Sequence, residues 1–458
     1  MKRFLMCVAA LAVVVAAAEP PAAAQAAEKA IWGPLVRPDG RSAMPFYRAL
    51  GVDTLQVQLR FADAAPTRPA SPRDPDDPAY RWPARLDRAV VEARRSGIQI
   101  ALLVTRSPAW ANGGRSQLWV PRASAYADFL TAASRRYSSV RRWQIWGEPN
   151  SRNAFLPNRL DSPVGPRAYA RILDAGYVAL KRVSARNIVI GGMTFSAGDV
   201  KPADFLRFMK LPSGRRPRLD WFGHNPFPFG YPDLRKGSDE GAYRDISDVG
   251  VFAEEVVRAY TRPCGSNGER RCGPRPKLWL SEFTVQSDQP SQIFGRHVSR
   301  PAQGRWLRAA FEIADSLPSI AGLGWFSLYD QDALSPSANW GLLTAAGERK
   351  PAYFAYRRAP SVALRPDVRL LRSRLRALAP DRRRPQPLVL VRPRAKGRVS
   401  AELRSASGGL VKRVVVVSSA AGSRIRLLRA PRRLRRGRYT IVVDAARGER
   451  VRRALTVR

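Results

Sequence analysis

Two glutamates close apolar runs in this 458-residue chain. Glu148 ends Trp143-Gln-Ile-Trp-Gly-Glu-Pro-Asn150, where Pro149 cannot extend strand pairing and so marks a strand's carboxyl end. Glu282 stands at the close of a second such run, Lys277-Leu-Trp-Leu-Ser-Glu-Phe-Thr284. The plainer reading is two rim glutamates in surface ion pairs, easily supplied by the 79 Lys and Arg of the chain. A glutamate that closes an apolar strand is infrequent in that role. Two carboxyls at the carboxyl ends of two strands have the chemistry for a glycosidic bond. One stays protonated and hands a proton to the leaving oxygen, while the other is ionised and attacks the anomeric carbon.

Such carboxyls need rigid strands behind them, and eight strand-like runs alternate with helical ones. The runs rich in strand formers cover 30–33, 54–61, 98–104, 143–148, 187–193, 219–225, 277–284 and 322–328. Helical patterns, several stopped by glycine, cover 44–51, 86–97, 123–137, 169–185, 203–209, 249–260 and 305–316. This alternation predicts an α/β fold, a (β/α)8 TIM barrel over 27–356. An open doubly wound sheet is the rival, disfavoured because no glycine-rich phosphate turn follows the first strand. The stretches 62–83 and 226–248 read as rim loops. Beyond Tyr356 the texture changes. An arginine- and proline-rich linker is expected over 357–384, followed by a small all-β, immunoglobulin-like sandwich over 385–458.

Composition narrows the class. Hydrophobic residues make up 45% of the chain, enough for a sizeable core. Met1-Lys2-Arg3, the apolar run 4–18 and Ala24-Gln-Ala26 have the three parts of a secretory signal, so residues 1–26 are expected to be cleaved near Ala26 and the protein secreted. No other stretch reaches membrane length. Cys7 leaves with the signal, and Cys264 and Cys272 bracket a turn-rich loop that an oxidising compartment would close as a disulfide. Such a short loop contributes roughly 2–3 kcal/mol on the entropic view. With only two histidines, no metal site is expected, and no cofactor is implied. The net charge of +42 is uneven: residues 361–458 hold 28 basic against 5 acidic side chains. Codon bias and solubility account for this most simply. Adhesion to an anionic wall or extracellular polymer is the sharper reading, and without interleaved aromatics no specific nucleic acid partner is expected.

With the strands counted, the chain resembles a clan A glycoside hydrolase, a group of retaining enzymes built on this barrel. The resemblance covers roughly 30–356 and is carried by Trp-Gly-Glu-Pro-Asn, Leu-Ser-Glu-Phe, His224 ending strand six, and Gly-Trp-Phe-Ser on strand eight. The closing segment Trp340 to Tyr353 is similar to that of families 5 and 39, and Ser107-Pro-Ala-Trp110 is also like family 39. The resemblance implies Glu148 as acid/base and Glu282 as nucleophile, about 5–5.5 Å apart, acting with retention on a β-glycoside. It also implies that His224, with Asn225, contacts sugar or orients the nucleophile, and that Trp325 is the platform beneath the sugar. Trp110 is a lesser candidate, and Trp143 and Trp146 read rather as core. From strand two, Arg60 is a candidate partner of the nucleophile, with Gln56 or Gln58 as alternatives.

One departure stands out. The clan places an asparagine just before the acid/base, bonding the sugar 2-hydroxyl, and here that position is Gly147. Asn150, Asn153 or Asn225 is the expected substitute, or the sugar differs there. Phe227 likewise replaces a tyrosine common after the strand-six histidine. The expected function is therefore secreted, retaining glycoside hydrolysis of a carbohydrate substrate. The alternatives are a non-catalytic polysaccharide-binding barrel and an adhesion protein acting through its basic C-terminal domain.

Overall fold

The computed structural model describes residues 27–458 except 238–240, 265–269, 292–294, 332–337, 360, 362–366, 371–373, 376–387, 393–396, 419–422, 427–436, 446–448 and 458. The expected signal at 1–26 and much of the expected linker lie outside the described residues.

Eight parallel strands close a barrel: β1 (Glu28–Trp32), β2 (Thr54–Arg60), β3 (Gln99–Thr105), β4 (Arg142–Ile145), β5 (Ile188–Phe195), β6 (Trp221–Asn225), β7 (Lys277–Phe283) and β8 (Ile320–Trp325). Each pairs with its successor, and β8 closes onto β1. Among the described residues eight helices of seven residues or more follow in turn: α1 (Met44–Leu50), α2 (Ala84–Ser96), α3 (Ala123–Arg136), α4 (Val164–Val183), α5 (Pro202–Phe208), α6 (Val249–Tyr260), α7 (Arg300–Ser316) and α8 (Pro351–Arg358). The alternating hydrophobic periods thus produce the expected barrel. Helix α4 starts five residues before the expected 169, because Pro166 sits in its first turn, where no N–H is needed. Helix α8 falls in what the sequence offers only as a closing segment.

Strand alternation sorts the core into two layers. Ile320, Leu323 and Trp325 of β8 join the large cluster between strands and helices. Ala321 of β8 joins Ala30, Ala101, Leu103, Ile190, Met193 and Trp279 inside the barrel, with Phe326 packed against them. Burying each large side chain contributes roughly 1.5–3 kcal/mol.

Charge closes the bottom. The buried Lys29 Nζ on β1 donates to the carbonyls of Tyr356 (3.1 Å) and Ala359 (3.2 Å), tying the first strand to the last helix. Burial, opposed by Asp53, lowers its pKa to about 7. Beside it Arg142 pairs with Glu28, which also accepts from Thr54 Oγ1 at 2.7 Å. Between α6 and β7, Cys264 and Cys272 form a disulfide across the hairpin strands Arg262–Cys264 and Arg270–Cys272.

The C-terminal part is all-β. A five-stranded sheet runs Arg374–Leu375, Glu449–Val457, Gly437–Ala445, Gly397–Ser405, Leu410–Ser418, and a three-stranded sheet joins Asp367–Leu370, Leu388–Arg392 and Ser423–Arg426. Val399, Ala401, Leu403, Ile441, Val443 and Leu455 are buried, and so are the intervening Val442 and Glu402, the latter paired with Arg404 and Arg413. Two of these strands, Asp367–Leu370 and Arg374–Leu375, lie inside the expected linker. Arginine and proline content suggested a linker there, but Val368 and Leu370 alternate with charged residues in strand period.

Candidate active site

Three departures from regular strand geometry shape the carboxyl end of the barrel. On β7, Leu278, Leu280 and Phe283 lie in the outer layer, whereas Trp279 packs inside. Outer residues two apart become three apart between Leu280 and Phe283, where the register with β8 shifts. This bulge inserts one residue, and Glu282 occupies it, half-buried rather than lost in the outer core. On β4 the ladder stops at Ile145, three residues earlier than the proline suggested. The chain then turns through left-handed residues, Trp146 (φ 59°) and Glu148 (φ 48°). Each such conformation costs about 1–3 kcal/mol outside glycine. On β5 a register shift between Gly191 and Thr194 places Gly192 at φ 90°, where a Cβ would lie 2.7 Å from the Phe222 ring. Met193 beyond it accepts the Glu148 N–H at 3.0 Å.

Glu282 is supported from below. Gln56 Nε2 donates to the Ser281 carbonyl at 2.6 Å, and Gln56 Oε1 accepts from Ser281 Oγ (2.9 Å) and Trp279 Nε1 (3.0 Å). Gly324 on β8 makes room, since a Cβ there would lie 2.1 Å from the Ser281 carbonyl oxygen. Of the glutamines weighed on β2, Gln56 therefore holds the strand that carries Glu282, through its neighbour Ser281. Gln58 is exposed at the rim.

The other candidates separate. Asn225, at the end of β6, donates from Nδ2 to Glu148 Oε1 at 3.0 Å, and its buried Oδ1 has no partner among the described residues. His224 is fully buried, against the expectation that it meets sugar. Its Nδ1 lies 2.8 Å from Thr194 Oγ1 and its Nε2 lies 3.0 Å from the Arg244 carbonyl. Burial drops its pKa to about 4, favouring the neutral ring, and Nδ1 also lies 3.0 Å from the Thr194 carbonyl. Asn150 is also consumed structurally. Its Nδ2 donates to the carbonyls of Phe195 (2.8 Å) and Val200 (2.9 Å), and its Oδ1 accepts from Phe195 N–H (2.7 Å).

Trp325 is wholly buried in the outer layer, so no sugar can stack on it. The next residue, Phe326, is half-buried against the inner layer and edge-on to Trp340, and it is the aromatic presented on the inner face. Strand parity, counted from Leu323, would have found it. Trp110 is half-buried and donates to the Ala65 carbonyl at 2.9 Å, pinning the rim loop. Trp143 and Trp146 are core. Arg60 does not bond Glu282: it reaches Gln117 (2.7 Å) and Asp63 (3.3 Å). A Cβ at Gly147 would meet only the Leu103 side chain, at 3.3 Å.

The electrostatics follow from burial. Glu282 is raised well above the usual carboxylate range, first by burial and then by the charge of Glu148, so the two carboxyls repel. Burial also raises Glu148, opposed by the Asn225 amide. Each charge disfavours ionisation of the other carboxyl, and the Asn225 amide favours the ionised form of Glu148, whereas Glu282 accepts no hydrogen bond among the described residues. Among the described residues no cluster could hold a metal ion, and no helix is long and apolar enough to cross a membrane.

No family model and no curated protein matches the sequence. Solved structures do. A family 39 glycoside hydrolase from the gut symbiont Bacteroides cellulosilyticus WH2 superposes with a TM-score of 0.52 at 14% identity, over 88% of this chain and 82% of that one. A monomeric β-xylosidase from Caulobacter crescentus CB15 gives 0.51 at 15%, over 88% and 95%. A glucosidase from Croceicoccus marinus gives 0.51 at 14%, over 88% and 93%. The chain thus has the fold of family 39-like glycoside hydrolases, and at these identities the likeness is one of fold.

Proposed function

We propose that this protein is an exported, retaining β-glycoside hydrolase, with Glu148 as acid/base and Glu282 as nucleophile. The observation that carries this reading is the pair of repelling, half-buried carboxyls at the mouth of a barrel shared with glycosidases. Glu282 attacks the anomeric carbon while Glu148 protonates the leaving oxygen. Water then enters with Glu148 as base, and a separation of about 5–5.5 Å suits both steps. Turnover needs a proton on Glu148, and with the Asn225 amide turned by 180° its Oδ1 accepts a hydrogen bond from that protonated carboxyl. Phe326 is the stacking surface for sugar. The disulfide accords with an oxidising compartment, and the basic C-terminal sheets serve as an adhesion module for anionic polymer.

The test is trapping. Activated 2-deoxy-2-fluoroglycosides, offered as a panel of sugars, should label Glu282 covalently, and peptide mapping locates the adduct. Labelling of another residue, or none across the panel, rejects the assignment. Gly147 favours a second reading, a barrel that binds glycan without cleaving it, because no side chain there meets the 2-hydroxyl. Leu103 can yield to a new side chain, so Gly147→Asn should raise kcat/KM several-fold if a 2-hydroxyl contact is what is missing. An unchanged rate would mean that the sugar makes no such contact.

A further inference from the structure

The rim formed by β2 and β3 carries positive charge that the carboxyl pair does not use. Arg60 ends β2 in register with Thr105, and Arg106 directly follows Thr105. Both stand at the barrel mouth, Arg106 after β3, the strand next to β4, and Arg60 on β2 beyond it. Arg106 is half-buried in a left-handed conformation (φ 65°), and its carbonyl accepts the Ala62 N–H at 3.1 Å. Gln117 links Arg60 to Ser107, the neighbour of Arg106. Its Oε1 accepts from Arg60 at 2.7 Å, and its carbonyl takes the Ser107 N–H at 2.9 Å. Arg60 has the exposed Asp63 as counter-charge, whereas the Arg106 side chain makes no hydrogen bond or ion pair among the described residues. Burial first, and then the charge of Arg60, hold the Arg106 guanidinium below its usual range, so the two cations repel. Holding a half-buried cation against another destabilises the free protein, and an arriving oxyanion relieves it. A guanidinium fork matches a carboxylate or sulfate in plane and charge.

We propose that Arg106, assisted by Arg60, is an anion-binding subsite at the mouth, and that the glycan taken there carries a carboxylate or sulfate group near the sugar being cleaved. The location rests on the glycosidase reading, but binding can be measured without turnover. Because the whole chain is strongly basic, long polyanions would bind anywhere, and small probes are required. NMR titration of the full chain with glucuronate, galacturonate and glucose 6-sulfate, each against its neutral parent sugar, separates uronate from sulfate. The variants are Arg106→Gln, Arg106→Lys and, as an equal loss of charge, Arg94→Gln on the exposed last turn of α2, at the opposite end of the barrel.

At least one charged sugar should bind about tenfold more tightly than its neutral parent, the scale of a charge-assisted hydrogen bond. Arg106→Gln should abolish that preference, Arg106→Lys should keep part of it, and Arg94→Gln should keep it all. Absence of any preference, or equal effects of Arg106→Gln and Arg94→Gln, overturns the subsite. Preference lost in Arg106→Gln with no glycoside hydrolysed would retain the subsite and reject the glycosidase. Hydrolysis dependent on both glutamates without any preference would do the opposite.

Discussion

The two ends of the barrel treat charge in opposite ways. At the bottom, Lys29 caps two carbonyls and Glu28 is matched by Arg142 and Thr54. At the mouth, Glu148 faces Glu282, and Arg60 faces Arg106, like against like. Backbone strain follows the same division. Arg106, Trp146, Glu148 and Met193, all at carboxyl ends of strands, adopt left-handed conformations. Unpartnered buried atoms do not follow that division: Asn225 Oδ1 lies at the mouth and Arg142 Nε at the bottom. The bottom is built for stability and the mouth is kept at its expense, as expected where binding and chemistry occur.

The contrast breaks most sharply at the carboxyls. Glu282→Gln should remove all measurable turnover of aryl β-glycosides, and Glu148→Gln should lower it by about 10²–10⁴-fold. Each should also raise Tm at neutral pH, because a carboxyl whose ionisation burial disfavours is removed. A lower Tm in both would mean that the pair is structural. At the bottom the signs reverse. Glu28→Ala should destabilise by about 3 kcal/mol in urea titrations, since Arg142 is left buried without its partner, while kcat stays unchanged. A stability loss under about 0.5 kcal/mol would show that the bottom is no better satisfied than the mouth.

Lys29 sharpens the same point through pH. Unfolded, it holds its proton up to about 10.5, and folded it releases it from about 7. Between those values unfolding takes up a proton, so raising the pH favours the folded state. Tm should therefore climb from pH 7 to 9, and Lys29→Met should flatten the climb. The smallest effect concerns Asn225. If its Oδ1 serves a protonated Glu148 during turnover, Asn225→Ala lowers that pKa, and the basic limb of the kcat profile moves down by up to about one pH unit. An upward move would mean that the amide acts only as the donor seen at rest.

Much of the architecture could be read from periodicity alone. The eight strands and seven of the eight helices come from local hydrophobic patterns, and strand burial follows those patterns directly. The position of Glu282 near the end of β7 was equally legible, whereas Glu148 lies in the turn three residues beyond the end of β4. Residue roles were harder. Trp325 and Phe326 are adjacent, and parity decides which of them faces outward, so a count off by one exchanges core for mouth. His224 and Asn150 look like free polar groups in sequence, yet partners 30 and 45 residues away consume them. Arg60 has the right strand but different neighbours, Gln117 and Asp63.

The sequence by itself determined the barrel, the all-β C-terminal part and the two carboxyls near strand ends, because these depend on short-range pattern and on residue type. Tertiary structure alone decided what those carboxyls experience. The bulge at Glu282, the left-handed turn at Glu148 and the Asn225 amide are products of strand register between segments far apart in the chain. So is the meeting of Arg60 with Arg106. Charge acts through space, and only the closed barrel brings these groups near enough to repel one another.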